Sequence, residues 1–159
     1  MREGRLNSRL YIGLDAGTSL TKAAIFDLDG RELAVAEKPT AVQRPRPGWS
    51  EIDPGEAWAA AVEVVAGVVR DSGVDPGLIG GIGLSAAMVG AWVLDRHGRP
   101  LRPAITWEDS RAQALIDEHV AADPAFLSRI FASSGSVMQQ GCTLPVMAWL
   151  ARHEPAVLA

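Results

Sequence analysis

The stretch YIGLDAGTSLTKAAIFDLDG, Tyr11 to Gly30, runs a short apolar strand into Asp15-Ala16-Gly17-Thr18-Ser19 and starts a second strand at once. A hairpin tip of this composition suits phosphate. Gly17 tolerates backbone angles closed to other residues and carries no side chain to block a ligand, so the N–H groups of Gly17, Thr18 and Ser19 are expected to face phosphate oxygens. Asp15, ending the first strand, is then placed to hold a divalent metal bridging those phosphates. The loop is not a Walker sequence, which ends a longer glycine-framed run in Lys-Ser/Thr before a helix, nor a GxGxxG dinucleotide turn. A plain hairpin rich in turn formers has the same composition, so these residues alone leave both readings open.

Working outward, Leu10 to Asp15, Thr21 to Asp27 and Glu32 to Glu37 read as consecutive strands of an antiparallel meander, the last two joined around Asp29-Gly30. Thr40 to Ser50, with Pro45, Pro47 and Gly48, reads as a loop. Asp53 is placed to cap a helix with Pro54 at its first position and Glu56 three residues after the cap. Trp58, Ala61, Val62, Val65, Val68 and Val69 recur at helical spacing and are expected to pack that helix on the sheet. Leu78 to Ser85 reads as the next strand, partnered by Ala91 to Asp95 and closed by His97-Gly98, with a short strand near Ile105. Helices are predicted over Ser110 to Ala121, Pro124 to Phe131 and Leu144 to His153. Strands, helix, strands, then helices is the order of an α/β lobe.

At 159 residues the chain is long enough for one domain with a core. A formal net charge of -4, with charges interspersed, argues against a nucleic-acid partner. The lone Cys142 has no internal disulfide partner, and MREGRLNSRL lacks the apolar centre of a signal peptide, which together predict a cytoplasmic protein. The most apolar run, Ala57 to Val69, holds Glu63 and stops at Arg70, so no membrane association is expected.

The hairpin and the segments after it resemble the FGGY family of carbohydrate kinases, and most closely its xylulokinase and gluconokinase branch. The resemblance runs from about Tyr11 to the last residue. Asp15-Ala16-Gly17-Thr18-Ser19 with Lys22 opens it, and Pro47-Gly48-Trp49-Ser50-Glu51 leads to Asp53-Pro54 and Trp58. Ile82-Gly83-Leu84-Ser85 then precedes Met88, and Leu101-Arg102-Pro103-Ala104-Ile105 enters Trp107-Glu108-Asp109-Ser110-Arg111, before Pro145 and Trp149. Each piece is weak alone; together, in the family's order, they are specific.

The resemblance implies an actin-like ATPase (ribonuclease H-like) α/β lobe, the incomplete first lobe of a two-lobe sugar kinase. Residues 10–159 would form the family's N-terminal domain and residues 1–9 an extension. It implies ATP and Mg2+ as cofactors, bound through Asp15, Gly17, Thr18, Ser19 and Lys22, with Asp15 on the metal. It further implies a small sugar or polyol substrate, contacted by Met88, Val89, Trp107, Asp109 and Arg111, and allows a homodimer. An indole covers the apolar face of a sugar, while Asp109 and Arg111 either bond hydroxyls or hold each other in place; Asp109 or Ser110 also suits a helix cap. No catalytic residue is assigned within this stretch, because the family's proton-accepting aspartate is expected beyond Ala159.

Two positions depart from the family pattern. Where xylulokinases and gluconokinases carry Gln-Met-His or Ala-Met-His, this chain reads Ala87-Met88-Val89, which removes an imidazole donor and acceptor from the substrate. Val146 stands where many relatives have a lysine. Sugar kinase is therefore a firmer reading than any one sugar.

Among the other aromatic residues, Trp49 and Trp58 are expected to fix the long loop on the first helix, and Trp92 to face the core. Arg44-Pro45-Arg46 reads as a solvated loop, and His97, His119 and His153 have no second ligand at metal spacing.

The leading expectation is ATP-dependent phosphorylation of a sugar, polyol or sugar acid hydroxyl, with this stretch as the N-terminal part and inactive alone. A non-catalytic sugar- or partner-binding module derived from a truncated lobe is the alternative. An actin-like ATPase of chaperone type would share the hairpin but not the Trp107 to Arg111 segment.

Overall fold

The computed structural model describes residues 9–159, so the expected extension over 1–9 lies outside the described residues except for Arg9. The described residues divide into two compact units, one of residues 9–41 and 55–87, the other of 42–54 and 88–159.

The first unit is built on the predicted meander. Strands β1 (Leu10–Ala16), β2 (Leu20–Phe26) and β3 (Glu32–Pro39) pair antiparallel in sequence order, and β6 (Ile79–Ala86) adds parallel to β1, giving the order β3-β2-β1-β6. The β2 to β3 turn is closed by Asp27, whose carboxylate accepts the amides of Asp29 and Arg31 at 3.0 and 2.9 Å. The predicted pairing of the Leu78 to Ser85 strand with Ala91 to Asp95 does not occur. Its ladder partner is β1, and Ala91 instead bridges Ile105. A hairpin expectation failed here because a parallel partner is distant in sequence and leaves no local turn signal.

Helix α1 (Pro54–Ser72) starts at the predicted proline, with Glu56 in its first turn and Arg70 in its last, both favourable to the helix dipole. Its buried residues are Ala60, Val64, Gly67 and Val68, of which Val64 and Val68 pack with Leu10, Ile12, Ala23 and Ile25. The buried face is therefore rotated from the predicted one. Val65 and Val69 join the core partly, whereas Trp58 is 72% and Val62 50% exposed. Val64 and Val68 carry the contact, and Gly67 lets the helix approach the sheet: a Cβ there would come within 3.0 Å of Ala36 Cβ. Bulky Trp58 and Val62 instead line an open apolar groove with Ile82 and Leu84 of β6.

The second unit holds a small sheet of β4 (Val42–Gln43), β5 (Glu51–Ile52) and β7 (Ala104–Ile105), in the order β4-β5-β7. Helices α2 (Gln113–Ala122), α3 (Phe126–Ser134) and α4 (Thr143–His153) follow, close to their predicted places. Ala91, Ile105, Ala112, Val146 and Leu150 form its core. Val146 is fully buried, so the missing lysine there is replaced by a core contact. Trp92, expected inside, is 42% exposed. The turn closed by His97-Gly98 forms as predicted, with Asp95 accepting the amides of His97 and Arg99 at 2.7 and 2.9 Å. Those bonds, led by the Arg99 amide, hold the Asp95 carboxyl below its ordinary range.

Candidate functional site

The predicted site residues fall on both units. In the first, Asp15 is the penultimate residue of β1, on the face of the sheet turned away from α1, because alternation puts Leu10 and Ile12 in the core and Asp15 opposite. The ladders pair Asp15 with Lys22 on one side and Ser85 on the other, and Lys22 with Glu37. Glu37, Lys22, Asp15 and Ser85 thus form one exposed polar row across all the strands of this sheet. Opposite charges at directly opposed positions stabilise the ladder modestly, about 0.2–1 kcal/mol per pair. Lys22 is therefore both a basic residue beside the hairpin and a cross-strand neighbour of two carboxylates.

The hairpin tip differs from expectation at Gly17. Its amide donates to the Leu20 carbonyl at 3.1 Å and so closes the turn instead of facing a ligand. Glycine is needed for space: a Cβ would lie 2.8 Å from that same carbonyl oxygen. The Gly17 carbonyl accepts the Thr40 hydroxyl at 2.8 Å, and the Ser19 carbonyl accepts the Thr40 amide at 3.1 Å, so Thr40 staples the tip. No signal in the hairpin itself marked Thr40, whose link spans 23 positions. Ser19 and Asp15 remain exposed at the tip, and Thr18 is half-buried. A lone carboxylate beside hydroxyls suits Mg2+, which binds through one or two carboxylates while keeping waters and phosphate oxygens. No group of three His, Cys, Asp or Glu side chains is gathered to hold a metal among the described residues.

In the second unit, Met88 and Val89 are exposed at 77% and 46%, and Trp107 at 51%. Val89 is the only non-glycine residue with positive φ among the described residues, at 62°. A β-branched side chain in that region is strained, and such strain concentrates at binding loops. Gly90 follows, and its amide donates to the Gly141 carbonyl at 3.0 Å.

Asp109 and Arg111 sit differently. Both are buried, Asp109 completely. The Asp109 carboxylate accepts the Arg111 amide, Nε and Nη2 at 2.8 to 2.9 Å and the Ser50 amide at 2.6 Å. Arg111 Nη2 also donates to Glu51 at 2.7 Å, and Glu51 in turn pairs with buried Arg102. The Arg111 guanidinium lies 3.7 Å from the centre of the Trp49 ring and 5.2 Å from that of Trp149, which meet edge to face. Burial works against its charge, but bonds to Asp109 and then Glu51 outweigh that and raise its pKa. Removing one partner from such a buried pair costs about 3–5 kcal/mol. Of the two roles the sequence left open, these contacts match mutual anchoring. Trp49 does pack, but against Arg111 and Trp149, and the exposed Trp58 does not. Neither Asp109 nor Ser110 caps α2, whose first flanking residue, Ala112, makes no side-chain cap bond. Sequence reading missed Glu51 and Arg102, which complete the charge cluster; a glutamate in a short strand carries no local sign of burial.

Residues 10–159 match the family model described as the FGGY family of carbohydrate kinases, N-terminal domain. The chain is 34% identical over 148 residues to the xylulose kinase of Escherichia coli, covering 93% of this chain and 29% of that protein. It is 32% identical over 148 residues to the L-xylulose/3-keto-L-gulonate kinase of the same organism, with 93% and 29% covered. Among solved structures, xylulose kinase from Rhodospirillum rubrum superposes with a TM-score of 0.83 at 34% identity, over 94% of this chain and 30% of that one. The chain therefore spans less than a third of the length of these relatives. Its architecture is the actin-like, ribonuclease H-like α/β lobe that the family resemblance implied.

Proposed function

We propose, from the premise that this chain belongs to the FGGY family of carbohydrate kinases as its N-terminal domain, that it forms part of an ATP-dependent kinase acting on a hydroxyl of a sugar, polyol or sugar acid. The observation that carries this reading is Asp15, exposed near the end of β1 beside Thr18 and Ser19. Its cross-strand pairing with Lys22 gives the carboxylate only a modest structural return, about 0.2–1 kcal/mol.

In this reading Asp15 holds Mg2+, and Thr18, Ser19 and Lys22 meet the phosphates of ATP, with Gly17 shaping the turn. Held there, Mg2+ would supply neutralisation of charge on the phosphates. Trp107 covers the apolar face of the acceptor, and Met88 and Val89 border it. Glu37 and Asp15 on either side of Lys22 temper its charge, so its ammonium contributes attraction to phosphate without dominating the row. Asp109 and Arg111 were expected to touch the acceptor as well; their buried contacts favour an indirect role. ATP, Mg2+ and a small polyhydroxy substrate are thus the ligands, and a cytoplasmic location and a homodimer remain compatible proposals. Among the described residues no helix is long and apolar enough to cross a membrane.

The test is ADP release by a longer polypeptide carrying this segment, with ATP, Mg2+ and D-xylulose, L-xylulose, glycerol or D-gluconate in turn. Acceptor-dependent ADP release with at least one of them is expected. Binding of an acceptor without turnover would favour the non-catalytic module.

A further inference from the structure

We propose that Asp109 and Arg111 are positioning residues: with Ser50 and Glu51 they fix the turn that presents Trp107, and they do not touch the acceptor. This rests on the reading that Trp107 meets the acceptor. Thr106 to Asp109 form a tight turn in which the Asp109 amide donates to the Thr106 carbonyl at 3.1 Å, leaving Trp107 and Glu108 at its tip.

Both ends of that turn are fastened to one residue. The Thr106 amide donates to the Ser50 carbonyl at 3.0 Å and its hydroxyl to Ser50 Oγ at 2.7 Å. The Ser50 amide returns to the Asp109 carboxylate. That carboxylate is fully buried, and the Arg111 fork covers it with two charge-assisted bonds. Glu51 and the Trp49 and Trp149 rings then hold the guanidinium in place. On the tip itself, Glu108 is tied to Arg44 at 2.8 Å, while the Trp107 side chain stays half exposed. The turn is fastened at its base while the Trp107 side chain stays half exposed, which is what an aromatic platform for a ligand requires.

Lysine at position 111 keeps the charge but cannot supply the two-pronged bond, so the base of the turn loosens. The chain labelled with 5-fluorotryptophan reads this directly by 19F NMR, with the Trp107 signal assigned through Trp107→Phe. Arg111→Lys should shift or broaden the Trp107 signal and leave that of Trp58, in the other unit, in place. If Arg111→Lys fails to fold, Thr106→Val, which removes only the hydroxyl tie, takes its place with the same expected outcome. An unmoved Trp107 signal in the folded variant overturns the proposal.

Kinetics of the longer polypeptide, with its fastest acceptor among D-xylulose, L-xylulose, glycerol and D-gluconate, supply the second arm. Arg111→Lys should raise KM for the acceptor by about ten- to a hundredfold while leaving KM for ATP unchanged. Combined with Trp107→Ala it should add nothing, since both act through the same ring. Additive losses would mean that Arg111 meets the acceptor itself, and the proposal falls. If Trp107→Ala alone leaves the acceptor KM unchanged, the placement of the acceptor fails, while the NMR arm still decides the positioning role.

Discussion

Gly141 lies flat against the backbone of Trp107, so close that a Cβ there would sit 1.8 Å from the Trp107 carbonyl oxygen and 2.4 Å from its carbonyl carbon. Backbone cannot yield as the end of a flexible side chain can. Gly141→Ala should therefore destabilise the protein by about 1–3 kcal/mol, the usual cost of overpacking. Gly83→Ala is the comparison, since a Cβ there meets nothing nearer than 3.9 Å. Urea unfolding followed by circular dichroism should show a lowered midpoint for Gly141→Ala alone; equal midpoints would refute the close contact.

Asp15→Ala in a longer polypeptide carrying this segment should lower kcat by orders of magnitude and change the acceptor KM little. A carboxylate acting on metal and phosphates has its largest effect where charge is redistributed, in the transition state. Near-normal kcat at saturating Mg2+ and ATP would remove Asp15 from that role.

Val89→His tests both strain and specificity. Histidine tolerates positive φ better than a β-branched residue, so the exchange should not lower stability even though it adds a polar ring. It should also raise kcat/KM for D-xylulose or D-gluconate relative to the native best acceptor by a few-fold to about tenfold, the worth of one net hydrogen bond of about 0.5–1.5 kcal/mol. Identical ranking of all acceptors by both proteins would show that Val89 does not face the substrate.

Asp95→Asn should flatten the acid limb of stability. The Asp95 carboxyl is held below its ordinary value in the folded chain, so the unfolded chain binds the proton first as pH falls. Its contribution is therefore complete above the ordinary carboxylate range and is lost as pH drops through the folded value. Asparagine can still accept the turn amides but does not titrate. Thermal unfolding from pH 6 down to pH 2 should show a smaller loss of Tm for the variant, and parallel curves would exclude the assignment.

Within the sequence, the hairpin of Tyr11 to Gly30, helix α1 and the three later helices were legible, because period and turn chemistry are local. Pro54 and Glu56 mark the start of α1 whatever surrounds them, and Asp29-Gly30 turns the chain by its own backbone preference. Trp107 and Asp15 were marked in the sequence, the first through the family resemblance and the second as a carboxylate beside Gly-Thr-Ser, and both are exposed.

Tertiary structure alone decided which face of α1 is buried, since Val64 and Val68 enter the core where Gly67 leaves room beside Ala36, while Trp58 and Val62 stay outside. It decided that β6 joins β1, a parallel pairing with no turn to announce it. It also separated Asp109 and Arg111 from Trp107 in role. All three stand within five residues, yet burial of the charged pair beside Glu51, Trp49 and Trp149 depends on partners about 40 to 60 positions away in the chain. A residue's chemistry is written in the sequence; whether that chemistry faces water or another charge is settled only when distant segments meet.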